Sequence, residues 1–431
     1  MAKVRIEAYG CSANIADSEM IAGSLKNSGH ELVTNTNNAD VNVIVTCSVK
    51  DATANRMIYR IKHLTNIGKP LVVAGCLAKA EPHTVQKYNP KAGMIGPDAI
   101  DRAVEVVNSA LNENRLIALQ RSTNPKVNLP RLRLNPTISM VEIASGCLSD
   151  CSFCQTKLAK GKVQSYRIGD IARQVRNDVR DGCREVWLTS TDNSTYGRDL
   201  KCNLADLVKR LYEIEGDFMI RVGMMNPMYV PFMLEDLIET YRNEKVFKFL
   251  HIPVQSGSDR VLKLMKRGHS ASVFADIAKR FRREFKHFTI ATDIIVGFPE
   301  ENKDDFQQTI DLMKEIEPDI INISKFSARP GTEASTMERV NVNNVKERTT
   351  TLHKLANAIG YKRNLPWIGW NGEVLIDEIK KDGVLGRNFT YKPVFLHTSL
   401  ALGSKINVKI NSVFSHSLVG KLENNLLNQN C

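Results

Sequence analysis

The spacing of apolar and polar residues divides the chain into three parts that predict different structures. Over residues 1–120, short apolar runs rich in β-branched residues predict buried strands at Lys3–Tyr9, Val41–Thr46 and Leu71–Ala74. Between these runs, helical spacing predicts helices at Asp17–Ser28 and Val49–Thr65, begun by Asp17 and Ser48. Strands that alternate with helices form parallel sheets, so we expect an open parallel α/β domain over residues 1–120.

Residues 121–136 have the composition of a linker, since they are rich in Pro and Asn and carry four basic side chains. A second β/α series then occupies residues 137–364. Its predicted strands are Ile138–Ala144, Glu185–Ser190, Phe218–Met224, Phe247–Val254, Thr289–Val296 and Ile320–Phe326. Six β/α units are too few for a closed eight-fold barrel, so the pattern predicts a partial (β/α)6 barrel.

The last part, residues 365–431, has short strands of alternating polarity separated by turn signals such as Asn371-Gly372 and Asp382-Gly383. This pattern predicts a small all-β barrel. The fold class is therefore α/β, with an open parallel sheet, a partial barrel and a terminal β-barrel.

Composition places the 431-residue chain among soluble globular proteins, because 42% of its residues are hydrophobic and 25% are charged. No apolar run approaches membrane-spanning length and no signal-peptide pattern opens the chain, so we expect a cytoplasmic protein without membrane contact. Clustered cysteines in a reducing compartment indicate metal or redox chemistry rather than disulfides. The net charge of +12 favours a polyanionic partner, although a generally basic surface is the alternative.

The strongest chemical signal is the spacing Cys147-x₃-Cys151-x₂-Cys154, directly after the first predicted barrel strand. Structural zinc sites use four protein ligands, and complete iron–sulfur motifs supply four cysteines. Here the next cysteine is Cys183. The spacing therefore predicts a four-iron cluster with one iron open to a small molecule, at the barrel mouth formed by strand C-termini. Three unrelated buried cysteines are the alternative.

A second set of cysteines lies in the first domain. Cys11, Cys47 and Cys76 each follow a predicted parallel strand, and ligands of open α/β sheets gather at the C-terminal strand edge. The shared placement predicts a second three-thiolate site, whereas each cysteine alone would be expected to serve packing. Cys183, Cys202 and Cys431 match no motif.

Polar residues also fall at or near the C-terminal ends of the predicted barrel strands. They are Asn226, Gln255, Ser256, Asp293 and Arg329. Amides, a hydroxyl, an acid and a fixed cation suit the binding of a zwitterion joined to a ribose. A structural loop role is the alternative for each of them, and for His251 it is the expected one.

A C-x₃-C-x-aromatic-C loop after a barrel strand resembles the radical S-adenosylmethionine (SAM) enzymes. The resemblance implies that the open iron chelates the amino and carboxylate groups of SAM, and that an electron from the cluster then yields a 5′-deoxyadenosyl radical. It also implies that Phe153 lies near the adenine and that Asp192 binds the cofactor. Thr191 stands where the family more often has Gln or Glu, which puts one contact in doubt.

The whole chain resembles one branch of that superfamily, the methylthiotransferases. The resemblance is carried by Tyr9-Gly-Cys-Ser-Ala-Asn14, Gly75-Cys-Leu-Ala-Lys-Ala-Glu-Pro82, Arg221-Val-Gly-Met-Met-Asn-Pro227 and Ser327-Ala-Arg-Pro-Gly-Thr332. The last module resembles a TRAM domain, a small RNA-binding β-barrel. Segments such as Cys154-Gln-Thr-Lys-Leu-Ala-Lys-Gly161 look like the archaeal and eukaryotic members, which act on N6-threonylcarbamoyladenosine at position 37 of tRNA.

The resemblance implies two [4Fe–4S] clusters and SAM as cofactors, with tRNA, an electron-donor protein and a sulfur donor as partners. In the implied reaction, SAM methylates a sulfur carried by the N-terminal cluster, and a second SAM yields the radical that abstracts hydrogen from C2 of the adenine. RNA contacts are expected at Lys380, Lys381, Arg387 and Lys392. The alternatives are methylthiolation of isopentenyladenosine-37 or of a ribosomal-protein aspartate, another radical SAM reaction, and a non-catalytic RNA-binding iron–sulfur protein.

Overall fold

A computed structural model describes residues 1–47 and 51–423 of the chain. The predicted helix start at Ser48 and the unmatched Cys431 lie outside the described residues. No helix in the described ranges has the length and apolar character that a membrane-crossing segment needs.

The first domain is a six-stranded sheet in which every neighbouring pair is parallel, which confirms the predicted open parallel sheet. The strand order is β2-β1-β3-β4-β5-β6. The strands are β1 Lys3–Ala8, β2 Glu31–Leu32, β3 Val41–Thr46, β4 Leu71–Gly75, β5 Gly93–Ile95 and β6 Ile117–Ala118; the helices are α1 Ser12–Asn27, α2 Asp51–Asn66, α3 Cys76–Ala80, α4 Pro82–Tyr88 and α5 Ala103–Leu111.

The first helix begins earlier than its sequence predicts. Cys11 occupies the N-cap position, and Asp17 lies inside α1 with no exposed surface. The prediction that Asp17 begins this helix is therefore wrong. The physical reason is that the Asp17 carboxylate pairs with the ammonium of Lys126, with 2.6 Å between Oδ1 and Nζ, instead of capping the helix.

The central part contains six parallel strands in chain order, as the pattern predicts. They form two three-stranded sheets, β7-β10-β11 and β12-β13-β14, joined where Ile220 bridges to Val246. The elements are β7 Ile138–Glu142, β8 Ala144–Ser145, α6 Thr156–Lys160, β9 Gln164–Ser165, α7 Ile168–Arg180, β10 Glu185–Thr189, α8 Leu204–Tyr212, β11 Met219–Val222, α9 Leu234–Arg242, β12 Phe249–His251, α10 Asp259–Leu264, α11 Ala271–Glu284, β13 Thr289–Val296, α12 Lys303–Ile316, β14 Ile320–Lys325 and α13 Val342–Asn364.

The linker of residues 121–136 holds the first two domains together. The guanidinium of Arg121 contacts Asp98 and the carbonyl oxygen of Lys160, and that of Arg133 contacts Asp178. Arg131 donates to the carbonyl oxygen of Met140 over 2.6 Å. The linker cations are thus engaged by the protein itself, which leaves them little free charge for a polyanionic partner.

The C-terminal domain is a closed five-stranded barrel, as predicted, with strand order β15-β16-β17-β19-β18. The strands are β15 Asn371–Lys380, β16 Gly383–Arg387, β17 Pro393–Leu396, β18 Lys405–Val413 and β19 Leu418–Leu422. Its interior is filled by aliphatic side chains such as Val374, Val394 and Val408, none of which has exposed surface. Alternation of inward apolar and outward polar residues explains the closure.

The loop between β16 and β17 closes the N-terminal end of the central barrel. Tyr391 of this loop packs against Phe247, Phe249 and Trp187, with ring centroids 4.9, 5.1 and 6.1 Å away. The guanidinium of Arg221 lies 5.0 Å from the Tyr391 ring centroid. Tyr391 therefore packs into the end of the central barrel and not into the interior of the small barrel to which its loop belongs.

Candidate active site

The barrel cysteines lie on one loop between β8 and α6, and long-range hydrogen bonds fix the backbone of that loop. The backbone amide of Cys147 donates to the carbonyl oxygen of Gly161 over 3.1 Å. The backbone amide of Ser152 donates to the carbonyl oxygen of Met265, also over 3.1 Å. The carbonyl of Ser152 in turn accepts from the amide of Ala334 over 2.8 Å. Three separate segments therefore hold the loop before any ligand binds.

Glycine is required where this loop begins. Gly146 has a φ of +83°, and a Cβ at that position would lie 2.1 Å from the carbonyl oxygen of Lys162. Because residues with a Cβ rarely adopt positive φ, the sharp turn into the cysteine loop depends on this glycine.

The chemistry of the thiols suits a cluster. Burial raises the pKa of Cys147 to about 11 and also raises that of Cys151, whose Sγ accepts from Nη1 of Arg267 over 3.5 Å. A thiol that resists ionisation when it is alone is deprotonated when it binds a metal, because the cation stabilises the thiolate. In the described part of the chain no three His, Cys, Asp or Glu side chains enclose a single metal ion. An iron–sulfur cluster instead takes one thiolate at each of several irons.

Two of the predicted cofactor-binding residues, Asp192 and Asn226, lie beside this loop. The Asp192 carboxylate is buried, and its Oδ1 accepts from the amides of Ser194 and Asn226, each over 3.0 Å. The side-chain amide of Asn226 donates to Oγ of Ser149, inside the cysteine loop, over 3.2 Å. Burial raises the pKa of Asp192. The structure therefore brings Asp192, Asn226 and the three cysteines to one end of the barrel.

Buried polar atoms without hydrogen-bond partners gather near the same strand end. Within the described residues they include Oδ2 of Asp192 and the side-chain hydroxyls of Ser190 and Thr191. Buried polar groups in native proteins are nearly always satisfied, so a group of such atoms at one strand end is available to hydrogen-bond a polar ligand. These orphaned atoms fit a cofactor that carries amino, carboxylate and hydroxyl groups, even though Thr191 lacks the longer side chain common in the family.

The other predicted mouth residues have mixed placements. Gln255 has a φ of +76°, which is unusual for a residue other than glycine. Its backbone amide donates to the backbone carbonyl oxygen of Asp293 over 2.9 Å. Asp293 accepts from Nε2 of His251 over 3.0 Å, an arrangement that suits the structural role expected for that histidine. The hydroxyl of Ser256 contacts that of Thr309 on α12 at 3.4 Å, an arrangement that favours the structural alternative for Ser256. The Arg329 side chain is buried.

Phe153 is half-buried beneath the cysteine loop. Its ring lies edge-on to that of Phe298, with centroids 6.3 Å apart and planes at 80°. Both rings belong to an apolar cluster with Val261 and Met265. The predicted position of Phe153 next to an adenine stays a prediction, and the apolar cluster is suited to that contact.

The N-terminal cysteines are brought together by three neighbouring strands of the first sheet. Cys11 follows β1, Cys47 follows β3, and Cys76 begins α3 after β4. A Cβ on Gly10 would lie 2.5 Å from Cβ of Cys47. The segments that follow β1 and β3 therefore approach as closely as a glycine permits. Burial raises the pKa of Cys76, and the negative charges of Cys11 and Cys47 raise it further. The three sulfurs are therefore within electrostatic reach of one another, as the strand-end pattern predicts.

Sequence reasoning assigned no role to Asn14, which ties these strand ends together. Its side-chain amide donates to the carbonyls of Tyr9 and Thr46 over 3.0 and 2.8 Å. Its Oδ1 lies 3.6 Å from Sγ of Cys11. A polar residue one turn after a strand-end cysteine is the signal that could have revealed it.

The two cysteine sites face each other across packed helices. Helix α3, which begins at Cys76, packs against α6, which begins two residues after Cys154. Nε2 of Gln155 donates to the Glu81 carboxylate over 3.0 Å and to the carbonyl of Pro330 over 3.1 Å. The distance between the two sites is therefore set by direct contact between the first domain and the barrel.

A buried group of four charged side chains lies at this junction. Nζ of Lys126 contacts both Asp17, at 2.6 Å, and Glu142, and Glu142 also accepts from Nζ of Lys160 over 2.7 Å. Each is at most 4% exposed. Burial disfavours charge on Lys160, but Glu142 and then Cys76 raise its pKa well above the usual value. We call these four residues the junction network; no sequence motif indicated it.

The predicted RNA contacts separate into two groups. Lys380 and Lys381 are exposed. Lys392, by contrast, is buried, and its ammonium donates to Asp319 and Asn364 over 3.0 and 2.8 Å. Nε of Arg387 donates to Asp377 over 2.7 Å. Arg387 and Lys392 thus hold the C-terminal barrel together and to the central domain, which corrects the expectation that they face RNA.

The comparisons with known proteins agree with this geometry. The model of the radical SAM superfamily matches residues 141–313, and that of uncharacterized protein family UPF0004 matches residues 3–96. Among solved structures, the radical SAM methyltransferase TsrM from Kitasatospora setae has a similar fold, with a TM-score of 0.58 at 12% identity over 78% of this chain and 77% of that one. The central barrel is therefore a radical SAM domain, a class of domain that uses SAM and a [4Fe–4S] cluster.

Full-length relatives define the family more narrowly. The chain is 40% identical to a probable threonylcarbamoyladenosine tRNA methylthiotransferase of Pyrococcus horikoshii, over 92% of this chain and 94% of that protein. It is 35% identical to the threonylcarbamoyladenosine tRNA methylthiotransferase of Homo sapiens, over 97% of this chain and 74% of that protein. The chain belongs to the threonylcarbamoyladenosine tRNA methylthiotransferase family.

Proposed function

We propose that this protein transfers a methylthio group to C2 of N6-threonylcarbamoyladenosine at position 37 of tRNA. The observation that carries the proposal is the presence of two three-cysteine sites at packed helix ends, in a chain of this family. A single radical SAM cluster would serve many reactions, whereas a second sulfur-rich site beside it suits the transfer of a sulfur-containing group.

Each site has the residues that its cofactor needs. Cys147, Cys151 and Cys154 would hold the radical SAM cluster, and the orphaned polar atoms around Asp192 would take polar groups of SAM. Phe153, Asn226, Gln255, Asp293 and Arg329 are the further candidates for contact with SAM. When bound, SAM and this cluster supply the methyl group and the hydrogen-abstracting 5′-deoxyadenosyl radical. The fixed loop and the apolar cluster around Phe153 would position the cofactor and exclude water.

A second [4Fe–4S] cluster is proposed at Cys11, Cys47 and Cys76. The convergence of three strand ends supports this site, and Asn14 fixes two of those ends. With three thiolates, such a cluster also leaves one iron open, which suits an exogenous sulfur species. The proposal therefore includes a sulfur donor and an electron-donor protein as partners.

The tRNA is proposed to contact the exposed lysines of the C-terminal barrel, Lys380 and Lys381. The net charge of +12 supports a polyanionic partner, because neutralised phosphates release counterions and give salt-dependent affinity. A cytoplasmic location is proposed because the proposed substrate is a tRNA.

The decisive experiment is mass spectrometry of nucleosides from tRNA incubated with anaerobically reconstituted protein, SAM and a reductant. We expect a methylthio mass on threonylcarbamoyladenosine and none on isopentenyladenosine. The Cys151→Ala variant should give no product, and Cys202→Ala, which changes a cysteine outside both sites, should give the product of the unchanged protein. Product on isopentenyladenosine, or 5′-deoxyadenosine formation without any methylthiolated nucleoside, would overturn the proposal.

A further inference from the structure

An arginine and two aromatic rings form a small stack between two loops that follow barrel strands. The guanidinium carbon of Arg198 lies 4.6 Å from the ring centroid of Tyr229 and 5.1 Å from that of Phe232. Tyr229 is buried, whereas Phe232 is 77% exposed. We call Arg198, Tyr229 and Phe232 the rim platform.

Among residues 1–47 and 51–423, no carboxylate forms an ion pair with the guanidinium of Arg198, whereas other exposed arginines of this domain, such as Arg184 and Arg210, pair with Asp217 and Glu213. A single exposed apolar ring is ordinary on a protein surface. An exposed ring beside a stacked, unpaired guanidinium offers both a face for a planar group and a charge for an anion.

The platform lies on the rim of the barrel mouth. Arg198 belongs to the loop after β10, and Phe232 belongs to the loop after β11. The same two loops carry Asp192 and Asn226, which hydrogen-bond to each other and, through the Asn226 side chain, to the cysteine loop. The rim platform therefore continues outward from the orphaned polar atoms of the candidate cofactor site.

We propose that the rim platform binds a nucleotide next to the modified adenosine of the tRNA, with its base stacked on Phe232 and its phosphate near Arg198. This inference rests on the proposed function. An enzyme that acts on a ring carbon of a base must take that base out of its stack, so the neighbouring base loses a stacking partner. An aromatic ring at the rim of the site replaces that partner.

The chemistry of the platform favours RNA over a protein partner. Single-stranded RNA is recognised by stacking of unpaired bases on aromatic rings and guanidinium planes, and the rings tolerate any base. The platform has a positive charge, and the exposed Lys201 in the same loop adds another, while the carboxylate of Asp199 in that loop accepts from the backbone amide of Ser165. Both features match the negative charge of a tRNA loop.

The test is the affinity of the reconstituted protein, without SAM, for a tRNA anticodon stem–loop at fixed salt concentration, measured by fluorescence anisotropy. Phe232→Ala should weaken binding about 5- to 100-fold, the effect expected for one lost stacking contact. Phe232→Trp should retain the affinity. Tyr59→Ala is the matched control, because Tyr59 is a comparably exposed aromatic residue, 66% exposed, on α2 of the first domain.

A stem–loop with 2-aminopurine on either side of position 37 locates the contact. We expect the fluorescence of one of the two probes to be quenched on binding to the unchanged protein, and that quenching to be lost with Phe232→Ala. Equal affinity of Phe232→Ala and the unchanged protein would overturn the inference. Unchanged affinity with slower cluster reduction by an electron-donor protein would likewise overturn it and assign the platform to that protein. If the unchanged protein binds and quenches but makes no methylthiolated nucleoside, the platform stands and the proposed function fails.

Discussion

The two cysteine sites contain the same number of thiols, yet the chain builds them in opposite ways. The barrel site comes from a single loop, Cys147–Cys154, which hydrogen bonds from distant segments hold in place. The N-terminal site comes from three strand ends far apart in sequence, and it exists only when β1, β3 and β4 are in register. A short motif can therefore reveal the first site, whereas the second is visible only through the topology of the sheet.

The two sites also differ in what keeps them rigid. At the barrel site, the positive φ of Gly146 makes the sharp turn that leads into the cysteine loop. At the N-terminal site, close approach of Gly10 to Cys47 and the two hydrogen bonds of Asn14 fix the strand ends. The first arrangement depends on one loop, and the second depends on the whole sheet and on its contact with the barrel.

The largest expected effect separates the two sites by function. We compare a variant in which Cys11, Cys47 and Cys76 are changed to Ala with one in which Cys147, Cys151 and Cys154 are changed to Ala. Each should bind about four irons rather than about eight, since each retains one complete site. Only the second variant should lose formation of 5′-deoxyadenosine from SAM, because SAM is proposed to bind the cluster at Cys147, Cys151 and Cys154.

Iron content and 5′-deoxyadenosine are measured on the same anaerobic preparations, with Cys202→Ala as the control that keeps both sites. If both triple variants lose SAM cleavage to the same degree, the division of labour between the sites is wrong. If the N-terminal variant keeps all its iron, the N-terminal cysteines serve packing alone.

The next effect concerns the junction network between the sites. Lys126→Met removes the ammonium shared by Asp17 and Glu142 and leaves buried negative charge without its partner. Breaking a buried ion pair in this way costs about 3–5 kcal/mol of unfolding free energy. We expect a cost at the lower end of this range for two reasons. Burial raises the pKa of Asp17 to about 6, so this carboxyl can take up a proton, and Glu142 retains its salt bridge with Lys160.

The measurement is urea unfolding followed by tryptophan fluorescence, with Lys157→Met as the control. Lys157 lies on α6 and its salt bridge with Asp150 is at the surface, so its loss should cost less than about 1 kcal/mol. Equal unfolding free energies for the two variants would show that the junction network does not stabilise the contact between the domains.

The smallest effect is a pH dependence at the linker. Burial raises the pKa of Glu19 to about 7, against 4.5 for an ordinary glutamate, while its Oε1 accepts from the amide of Leu134 over 3.0 Å. The folded state therefore holds the proton more tightly than the unfolded state. Ionisation of Glu19 thus lowers stability progressively as the pH rises from about 4.5 to about 7.

Glu19→Gln keeps the acceptor and removes the titration, so its unfolding free energy should fall less across this pH range than that of the unchanged protein. Urea unfolding at pH 5, 6, 7 and 8 checks the difference. Parallel pH profiles for the two proteins would assign the titration to another group.

Much of this architecture could be predicted from the sequence because it is recorded locally. The three patterns of apolar and polar spacing predicted the parallel sheet, the partial barrel and the small β-barrel. The C-terminal ends of predicted strands indicated both cysteine sites. The very short strands β2, β5 and β6 leave too few residues for a periodic pattern. They are recognised only when their neighbours in the sheet are known.

The cations show where local patterns fail. Lys126, Arg133 and Lys392 look alike in the sequence, yet each is paired with an acid distant along the chain. Whether a basic residue faces solvent or pairs inside depends on tertiary contacts that neither composition nor spacing records. The same limit explains why Asp17 was taken for a helix cap and why the rim platform was not foreseen.

The position of Tyr391 has a consequence for the chemistry at the opposite end of the barrel. The axis of a barrel has two ends, and here the ring of Tyr391 and the guanidinium of Arg221 lie at the N-terminal end. The C-terminal barrel therefore also covers the N-terminal end of the central barrel. Removing it would uncover that end of the barrel to water, so a truncated protein should protect a reactive radical less well and should lack the proposed surface for RNA.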